Sequence, residues 1–203
     1  MIMDWLQYET AARNSGFNII CGVDEAGRGP LAGPVCAAAV ILAPGQIIDG
    51  VNDSKKLTEK KREILFDKII SECEDYSIAY ASEKEIDEMN ILQATFLAMR
   101  RAVNGLKTKP DIALVDGNQD PKFAEIPSET IIKGDAHSAS IAAASILAKV
   151  SRDRLMLEAA EKYPEYFFEK HKGYGTKLHY EMIEQYGICE IHRKSFLKKV
   201  LNK

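Results

Sequence analysis

The chain has 203 residues, 46% of them hydrophobic and 28% charged, and this size and composition suit one globular domain with its own apolar core. A formal net charge of −3 argues against a broadly basic nucleic-acid-binding surface, unless acids collect around a bound cation or the basic residues cluster, as they do in residues 192–203. The N-terminus has no basic segment ahead of an apolar stretch and no apolar run reaches about 18 residues, so no signal peptide or transmembrane helix is expected and a cytoplasmic location is the default.

The first half of the chain is predicted to contain two helices and three strands. Hydrophobic periodicity predicts helices over residues 3–15 and 59–74 and strands over residues 18–24, 35–42 and 75–82. The strand over residues 35–42 is apolar throughout, as in a strand that is buried on both faces. Thr58 is a candidate N-cap for the second helix. Cys21 and Cys36 lie in the first two strands and are interpreted as small core residues.

The second half is predicted to alternate helices with two further strands. A short helical turn is expected from Ser82 or Glu83, followed by helices over residues 91–106, 138–162 and 176–186 and strands over residues 112–116 and 130–132. Asn90 precedes the first of these helices, and Pro164 is expected to end the alanine-rich second one. The element order predicts an α/β layer fold with a mixed sheet, in which the early strands form a meander and the later ones are reached by crossovers.

Acidic residues follow three of the predicted strands. Asp24 and Glu25, Asp116 and Asp135 each come after a short apolar stretch and before a glycine or another small residue. Because sites in α/β sheets form where strand ends converge, these acids are expected to meet in one crevice. Four carboxylates in a small volume need counter-charge, and oxygen ligands suit Mg²⁺ or Mn²⁺. Two such ions about 3.5–4 Å apart would stabilise the attacking and leaving oxygens of a phosphoryl transfer.

Two considerations weigh against this interpretation of the acids. Adjacent strand residues point to opposite faces, so Asp24 and Glu25 can share a site only if the strand ends or bulges there. The following Ala-Gly-Arg-Gly-Pro segment is suited to such a break. In addition, a single Asp at the end of a strand is typically a turn residue, so spacing alone leaves the turn interpretation open.

Seven blocks of the sequence carry a resemblance to a known family. The first is residues 23–35, Val-Asp-Glu-Ala-Gly-Arg-Gly-Pro-Leu-Ala-Gly-Pro-Val, and the others are residues 52–57, 90–95, 115–118, 133–135, 140–153 and 171–176. In type and order these blocks resemble the bacterial ribonuclease HII family. The resemblance implies an RNase H-like three-layer fold, with a mixed central sheet flanked by helices. It also implies a single domain over residues 1–203, with a core of about 18–165 and a small C-terminal helical extension of about 166–203.

The resemblance further implies an endoribonuclease. It would hydrolyse the RNA strand of RNA–DNA hybrids and cut 5′ of ribonucleotides embedded in duplex DNA, as in ribonucleotide excision repair, leaving 3′-hydroxyl and 5′-phosphate ends. Two divalent ions, Mn²⁺ or Mg²⁺, are expected during catalysis, and the protein is expected to be a monomer. The family's catalytic, metal-binding carboxylates correspond to Asp24, Glu25, Asp116 and Asp135.

Ribose recognition in this family is assigned to the motif that corresponds to Gly27-Arg28-Gly29, with help from Tyr174. Glycine permits the close backbone approach that contact with a 2′-hydroxyl requires, and a tyrosine can stack on the sugar at an RNA–DNA junction. From the residues alone, the glycines are more typical of a plain turn and Tyr174 of a surface aromatic.

Further polar and basic residues are candidates for contact with the nucleic acid. Lysines ahead of a helix either hold phosphates or are simply solvated. Lys149 either faces the site or pairs with Asp153, one helical turn away. The alternating basic and apolar residues 192–199 are expected to line the duplex-binding surface. The individual candidates for substrate contact are Ser54, Lys55, Lys149 and His171.

Three other functions fit the sequence less well. The Gly27-x-Gly29-x-x-x-Gly33 spacing faintly resembles a dinucleotide-binding loop, but Pro30 and Pro34 interrupt it and a strand follows where a helix is needed. A DNA-specific or recombination nuclease of RNase H-like fold would have no use for the ribose-sensing residues. A non-catalytic binding module would gain nothing from carboxylates that face phosphates.

Overall fold

The computed structural model of the protein describes residues 4–52, 54 and 57–198, and a five-stranded mixed sheet forms its centre. The first three strands are antiparallel neighbours, and the last two run parallel to the first, so the strand order is β3-β2-β1-β4-β5. This confirms the predicted α/β class, with an initial meander followed by crossovers. The strands are β1 Ile20–Ala26, β2 Val35–Ile41, β3 Asp75–Ala81, β4 Ile112–Asp116 and β5 Ser128–Ile131.

Seven helices accompany the strands in the described part of the chain. They are α1 Gln7–Asn14, α2 Glu59–Glu72, α3 Glu83–Met89, α4 Ile91–Asn104, α5 Ala139–Lys162, α6 Phe168–His171 and α7 Lys177–Tyr186. The capping chemistry explains where they begin: the Thr58 hydroxyl accepts from the Lys61 amide at 3.3 Å, and the Asn90 side chain accepts from the Leu92 amide at 3.0 Å. Every predicted helix is confirmed, whereas the short α6 is not expected from the sequence.

The sheet separates two apolar layers. Val23 of β1 and Val115 of β4 pack on the side of α4. Ile20 of β1 and Leu114 of β4 pack on the opposite side, against Ile141 of α5. Side chains alternate along a strand, so every second residue faces the same side of the sheet. Asp24 therefore faces α5 like Ile20, and Asp116 faces α5 like Leu114.

Strand β1 and helix α5 touch directly at Gly22. A Cβ atom at Gly22 would lie 2.2 Å from the carbonyl carbon of Ser140 and 2.3 Å from the amide nitrogen of Ile141. Neither backbone atom can move without displacing the helix, so only glycine permits this approach. The contact brings the first turns of α5 against the strand that carries Asp24.

The segment after α5 folds back onto the same body. Its residues share an apolar cluster with Met156 of α5 and with Leu31 and Ala32 of the loop between β1 and β2. The division into a core of about 18–165 and an extension of about 166–203 stays a prediction. Within the described ranges, no helix combines the length and the apolar character needed to cross a bilayer.

Candidate metal centre and the adjoining glycine loop

Three of the four predicted acids meet at the ends of β1 and β4. Asp24, Asp116 and Asp135 each offer a carboxylate oxygen, and these oxygens lie within 4.8 Å of one another. Strands β1 and β4 pair in parallel up to Val23 and Val115, so Asp24 and Asp116 follow at the next position of neighbouring strands. Asp135 comes from a turn after β5, which is tied to the site because the Gly134 amide donates to Asp116 Oδ1 at 2.6 Å.

Asp24 and Asp135 are the buried members of this group, each with only 4% of its surface exposed, whereas Asp116 is half-buried. Burial, followed by the charges of Glu25 and Asp116, raises the pKa of the Asp24 carboxyl well above its ordinary value of 3.8. The carboxylate accepts hydrogen bonds from the Glu25 amide at 2.7 Å and from the Ser145 side chain. Clustered, poorly hydrated carboxylate oxygens fit a hard divalent cation such as Mg²⁺ or Mn²⁺, which would supply the missing positive charge.

Glu25 lies on the other face of the strand. The condition for Asp24 and Glu25 to share one face, a strand end or bulge at these residues, is not met, since β1 keeps regular pairing with β2 through Ala26. The break comes at Gly27, where φ is +98°. Glu25 therefore faces a cleft beside α4, where Arg28 Nη1 is 3.4 Å from its Oε1. Asp116 also lines this cleft, so the cleft connects Glu25 with the three-acid group.

The loop after β1 requires glycine at Gly27. A Cβ atom there would lie 2.1 Å from Nε of Arg152 and 3.0 Å from the Pro34 carbonyl oxygen. Gly29, by contrast, is open: among the described residues, the one atom within 4 Å of its Cβ position is Cε1 of Tyr174, at 3.8 Å. The structure thus places Tyr174, which is 42% exposed, beside the predicted Gly27-Arg28-Gly29 motif.

Ser54 and Lys149 support neighbouring side chains in the structure. Ser54 is buried and its hydroxyl lies 2.8 Å from that of Ser145, the residue that hydrogen-bonds Asp24. Lys149 pairs with Asp153 at 2.7 Å and its Nζ lies 6.0 Å from the centre of the Tyr174 ring. Of the two expectations for Lys149, the pairing is therefore what the structure shows. Lys55 lies outside the described residues.

The structure does not favour direct substrate contact by His171. This residue is 7% exposed, its Nε2 bonds the Tyr166 carbonyl oxygen at 2.9 Å, and its Nδ1 accepts from the Gly173 amide at 3.2 Å. The expectation that residues 192–199 line a duplex-binding surface is wrong for the first two of them. His192 is 2% exposed and Arg193 is not exposed, because both side chains point into the protein to bond other groups. Lys199 lies outside the described residues.

A chain of hydrogen bonds joins the buried histidines behind Tyr174. His179 Nδ1 is 3.0 Å from the Tyr174 carbonyl oxygen, so it carries the proton and leaves His179 Nε2 as an acceptor. That Nε2 lies 3.0 Å from His192 Nε2, which must donate. His192 Nδ1 then accepts from the Cys189 amide at 2.9 Å. This arrangement satisfies all four ring nitrogens when both rings are neutral, and an added proton would place two hydrogens between the facing Nε2 atoms.

We expect this histidine pair to make the fold sensitive to acid. Burial lowers the pKa of both His179 and His192 to about 4 from an ordinary value of 6.5. As the pH falls from about 6.5 to about 4, the unfolded chain takes up protons that the folded protein does not, so the free energy of unfolding decreases. Thermal melts across this range, with an NMR titration of the imidazole protons, measure the effect. An NMR pKa near 6.5 for either buried ring would contradict the expectation.

Several residues that build the site carry no distinctive signal in the sequence. Ser145 sits among alanines in α5, where it supports Asp24, and Arg193 lies in a basic tail that suggests a surface. Arg152 lies in the same alanine-rich helix. The apolar surroundings in the sequence are the signal that could have indicated a buried arginine. The Arg152 guanidinium bonds the carbonyl oxygens of Pro34 at 3.0 Å and Ala32 at 3.1 Å.

Comparison with known proteins gives a consistent set of relatives. A family model described as Ribonuclease HII matches residues 21–199. A protein named Ribonuclease HII from Caldicellulosiruptor bescii is 59% identical over 199 residues, which cover 98% of this chain and 96% of that protein. The crystal structure of ribonuclease H2 from Pyrococcus horikoshii OT3 aligns with a TM-score of 0.72 and 33% identity, over 88% of this chain and 93% of that one. RNase HII from Archaeoglobus fulgidus, solved as a complex with PCNA, aligns with a TM-score of 0.70 and 27% identity, over 87% and 94% of the two chains.

Proposed function

The chain belongs to the ribonuclease HII family and is a ribonuclease H of RNase H-like fold, and from this premise we propose that it cuts on the 5′ side of ribonucleotides embedded in duplex DNA as well as within RNA–DNA hybrids. The products would carry 3′-hydroxyl and 5′-phosphate ends. One observation carries the proposal. Asp24 of β1 joins Asp116 and Asp135 in a three-carboxylate group, and the glycine loop that begins three residues after Asp24 lies against the exposed Tyr174.

The carboxylates are proposed to bind divalent metal. Asp24, Asp116 and Asp135 would hold it directly, and Glu25 would join them from the adjoining cleft that Asp116 also lines. When bound, Mg²⁺ or Mn²⁺ would neutralise charge on the phosphodiester and favour attack by water, and two ions are proposed for the complete site. Asp24 keeps its orientation through the Glu25 amide and Ser145, so its oxygens are already placed before metal arrives.

Ribose recognition is proposed for the loop and Tyr174. With no side chain at Gly29 and only a 3.8 Å contact from the Cβ position to Tyr174, a sugar can approach the backbone closely at this point. The exposed ring of Tyr174 offers a face for stacking on that sugar. The cationic groups of Lys149 and Arg152 lie 6.0 Å and 5.7 Å from the ring centre and help to fix its orientation.

A duplex with a single embedded ribonucleotide tests the proposed function. We expect one cut, on the 5′ side of the ribonucleotide, in Mg²⁺ or Mn²⁺ and no cut in EDTA. The matched control is an all-DNA duplex of the same sequence, which lacks only the 2′-hydroxyl. Denaturing gels map the cut, and ligation or phosphatase treatment identifies the ends. Equal cleavage of the two duplexes would rule out ribose recognition, and cleavage in EDTA would rule out the metal.

Other aspects of the biology stay predictions. The neighbour from Archaeoglobus fulgidus was solved with PCNA, so the expectation that this chain acts as a monomer needs its own measurement. All four cysteines are free thiols in the structure, which is compatible with the predicted cytoplasmic location. A role in ribonucleotide excision repair is proposed on the same basis as the substrate.

A further inference from the structure

Two arginines are completely buried beside the glycine loop. Arg152 of α5 and Arg193 of the C-terminal segment each have 0% of their surface exposed. Buried arginines are rare unless their charge is compensated, and here the guanidinium groups bond backbone carbonyl oxygens. Arg152 bonds Ala32, Pro34 and Lys172, and Arg193 bonds Gly27, Arg28 and Gly33.

Arg193 holds the part of the loop that is proposed to meet the ribose. Its Nη2 donates to the Gly27 carbonyl oxygen at 2.6 Å and its Nη1 to the Arg28 carbonyl oxygen at 3.1 Å. Its Nε donates to the Gly33 carbonyl oxygen at 2.8 Å, on the returning side of the loop. Burial lowers the pKa of Arg193 to about 9, which leaves the group charged at neutral pH. One rigid fork thus fixes three carbonyl groups that lie 160 to 166 residues earlier in the chain.

Fixing these carbonyls also fixes the amides. In a trans peptide the C=O and the N–H of the same plane point in opposite directions. When Arg193 holds the carbonyls of Gly27 and Arg28 inside the protein, the amides of Arg28 and Gly29 are turned away from it. Within the described residues, neither of these two amides donates to a protein acceptor. They form adjacent, outward-facing donors beside Tyr174.

We propose that Arg193 is a positioning residue for ribose recognition, which orients the Arg28 and Gly29 amides toward the 2′-hydroxyl side of the substrate without touching it. The proposal rests on the proposed function. It explains why an arginine is buried in a tail whose other basic residues suggest a surface. The three donors of a lysine share one nitrogen, so a lysine cannot reproduce bonds that the guanidinium makes from three separate nitrogens.

The segment around Arg193 has its own anchor. Asp87 at the end of α3 accepts from the amides of Lys194 and Ser195, both at 2.9 Å. Asp87 is distant from the loop in sequence and contacts the turn that presents Arg193. Replacing it should therefore loosen Arg193 without removing the guanidinium.

The test compares binding to two duplexes of one sequence, one all-DNA and one with a single ribonucleotide. Fluorescence anisotropy in EDTA gives both dissociation constants for wild type, Arg193→Lys, Asp87→Ala and Arg154→Lys. Because the Arg28 and Gly29 amides lose their fixed orientation without the fork, Arg193→Lys should reduce the preference for the ribonucleotide by about tenfold or more, which corresponds to about 1.4 kcal/mol. The affinity for the all-DNA duplex should not change. Asp87→Ala should reduce the preference in the same direction by a smaller factor.

Arg154→Lys is the matched control, because Arg154 lies on α5 beside Arg152 in sequence but is exposed and pairs with Glu63. Its preference should equal that of wild type. A purely structural role for Arg193 would lower the melting temperature and leave the ratio of the two affinities intact, which would overturn the proposal. If Arg193→Lys does not fold, an unchanged ratio for Asp87→Ala overturns it instead. If wild type itself shows no preference, ribose recognition by the loop fails and this inference fails with it.

Discussion

Asp24→Asn is expected to lower metal-dependent cleavage by more than about a hundredfold. Even the loss of a residue that only hydrogen-bonds a metal ligand lowers metal affinity or activity by about 10–100-fold. The substituted side chain keeps an oxygen that can accept from the Glu25 amide and the Ser145 side chain, so the local hydrogen bonds survive. What is lost is the negative charge in the middle of the acid group. The protein should therefore fold but bind divalent metal poorly.

Without metal, the same substitution should stabilise the protein at neutral pH. The pKa of Asp24 is raised in the folded state, so the unfolded chain releases this proton more readily and folding stability falls as the pH rises above about 3.8. Asparagine does not ionise, so the variant does not lose folding stability as the pH rises. Thermal melts in EDTA should show a higher midpoint for Asp24→Asn than for wild type at pH 7, with the difference shrinking in acid.

Added Mg²⁺ should reverse the order of the two proteins, because it stabilises the wild type and has little effect on the variant. The exposed Asp49 supplies the control, and Asp49→Asn should behave as wild type in both assays. Full Mg²⁺-dependent cleavage by folded Asp24→Asn would refute the assignment of this residue to the metal centre.

Gly27→Ala is expected to lose about 2–5 kcal/mol of unfolding free energy, from left-handed backbone strain of about 1–2 kcal/mol together with steric overlap of about 1–3 kcal/mol. Gly27 has a φ of +98°, and its Cβ would overlap Nε and Cδ of Arg152 at 2.1 and 2.4 Å. Arg152 cannot move aside, because its guanidinium is buried and bonded to three carbonyl groups. Cleavage should fall as well, since the loop can accommodate the methyl group only by moving.

Urea unfolding of three glycine variants separates the causes. Gly16 has a similar φ of +95°, but no atom of the described residues lies within 4 Å of its Cβ position, so Gly16→Ala should lose only the backbone strain, about 1–2 kcal/mol. Gly29→Ala has neither positive φ nor overlap and should unfold close to wild type. If Gly27→Ala and Gly16→Ala had equal midpoints, the overlap with Arg152 would have no energetic weight.

The sequence was sufficient for most of the fold because its local patterns agree with the final structure. The apolar run at residues 35–42 became β2, buried on both faces, and Thr58 and Asn90 cap the helices that follow them. Boundaries moved by a few residues, as at α4, which ends at Asn104. Periodicity alone gives no sign of the four-residue α6, because one helical turn is too short to show a repeat.

For the site, the sequence by itself determined which acids end strands and which block of residues resembles ribonuclease HII. These are local properties, since strand ends and glycine turns depend on residues that are close together in the sequence. Only the tertiary structure decided that Asp24, Asp116 and Asp135 share one group while Glu25 faces the adjoining cleft, because the regular pairing of β1 keeps adjacent side chains on opposite faces. It also decided that Arg193 is buried against the loop. Basic residues in a tail ordinarily favour solvent, and only the three carbonyl groups brought to Arg193 by the folded loop make burial of its charge favourable.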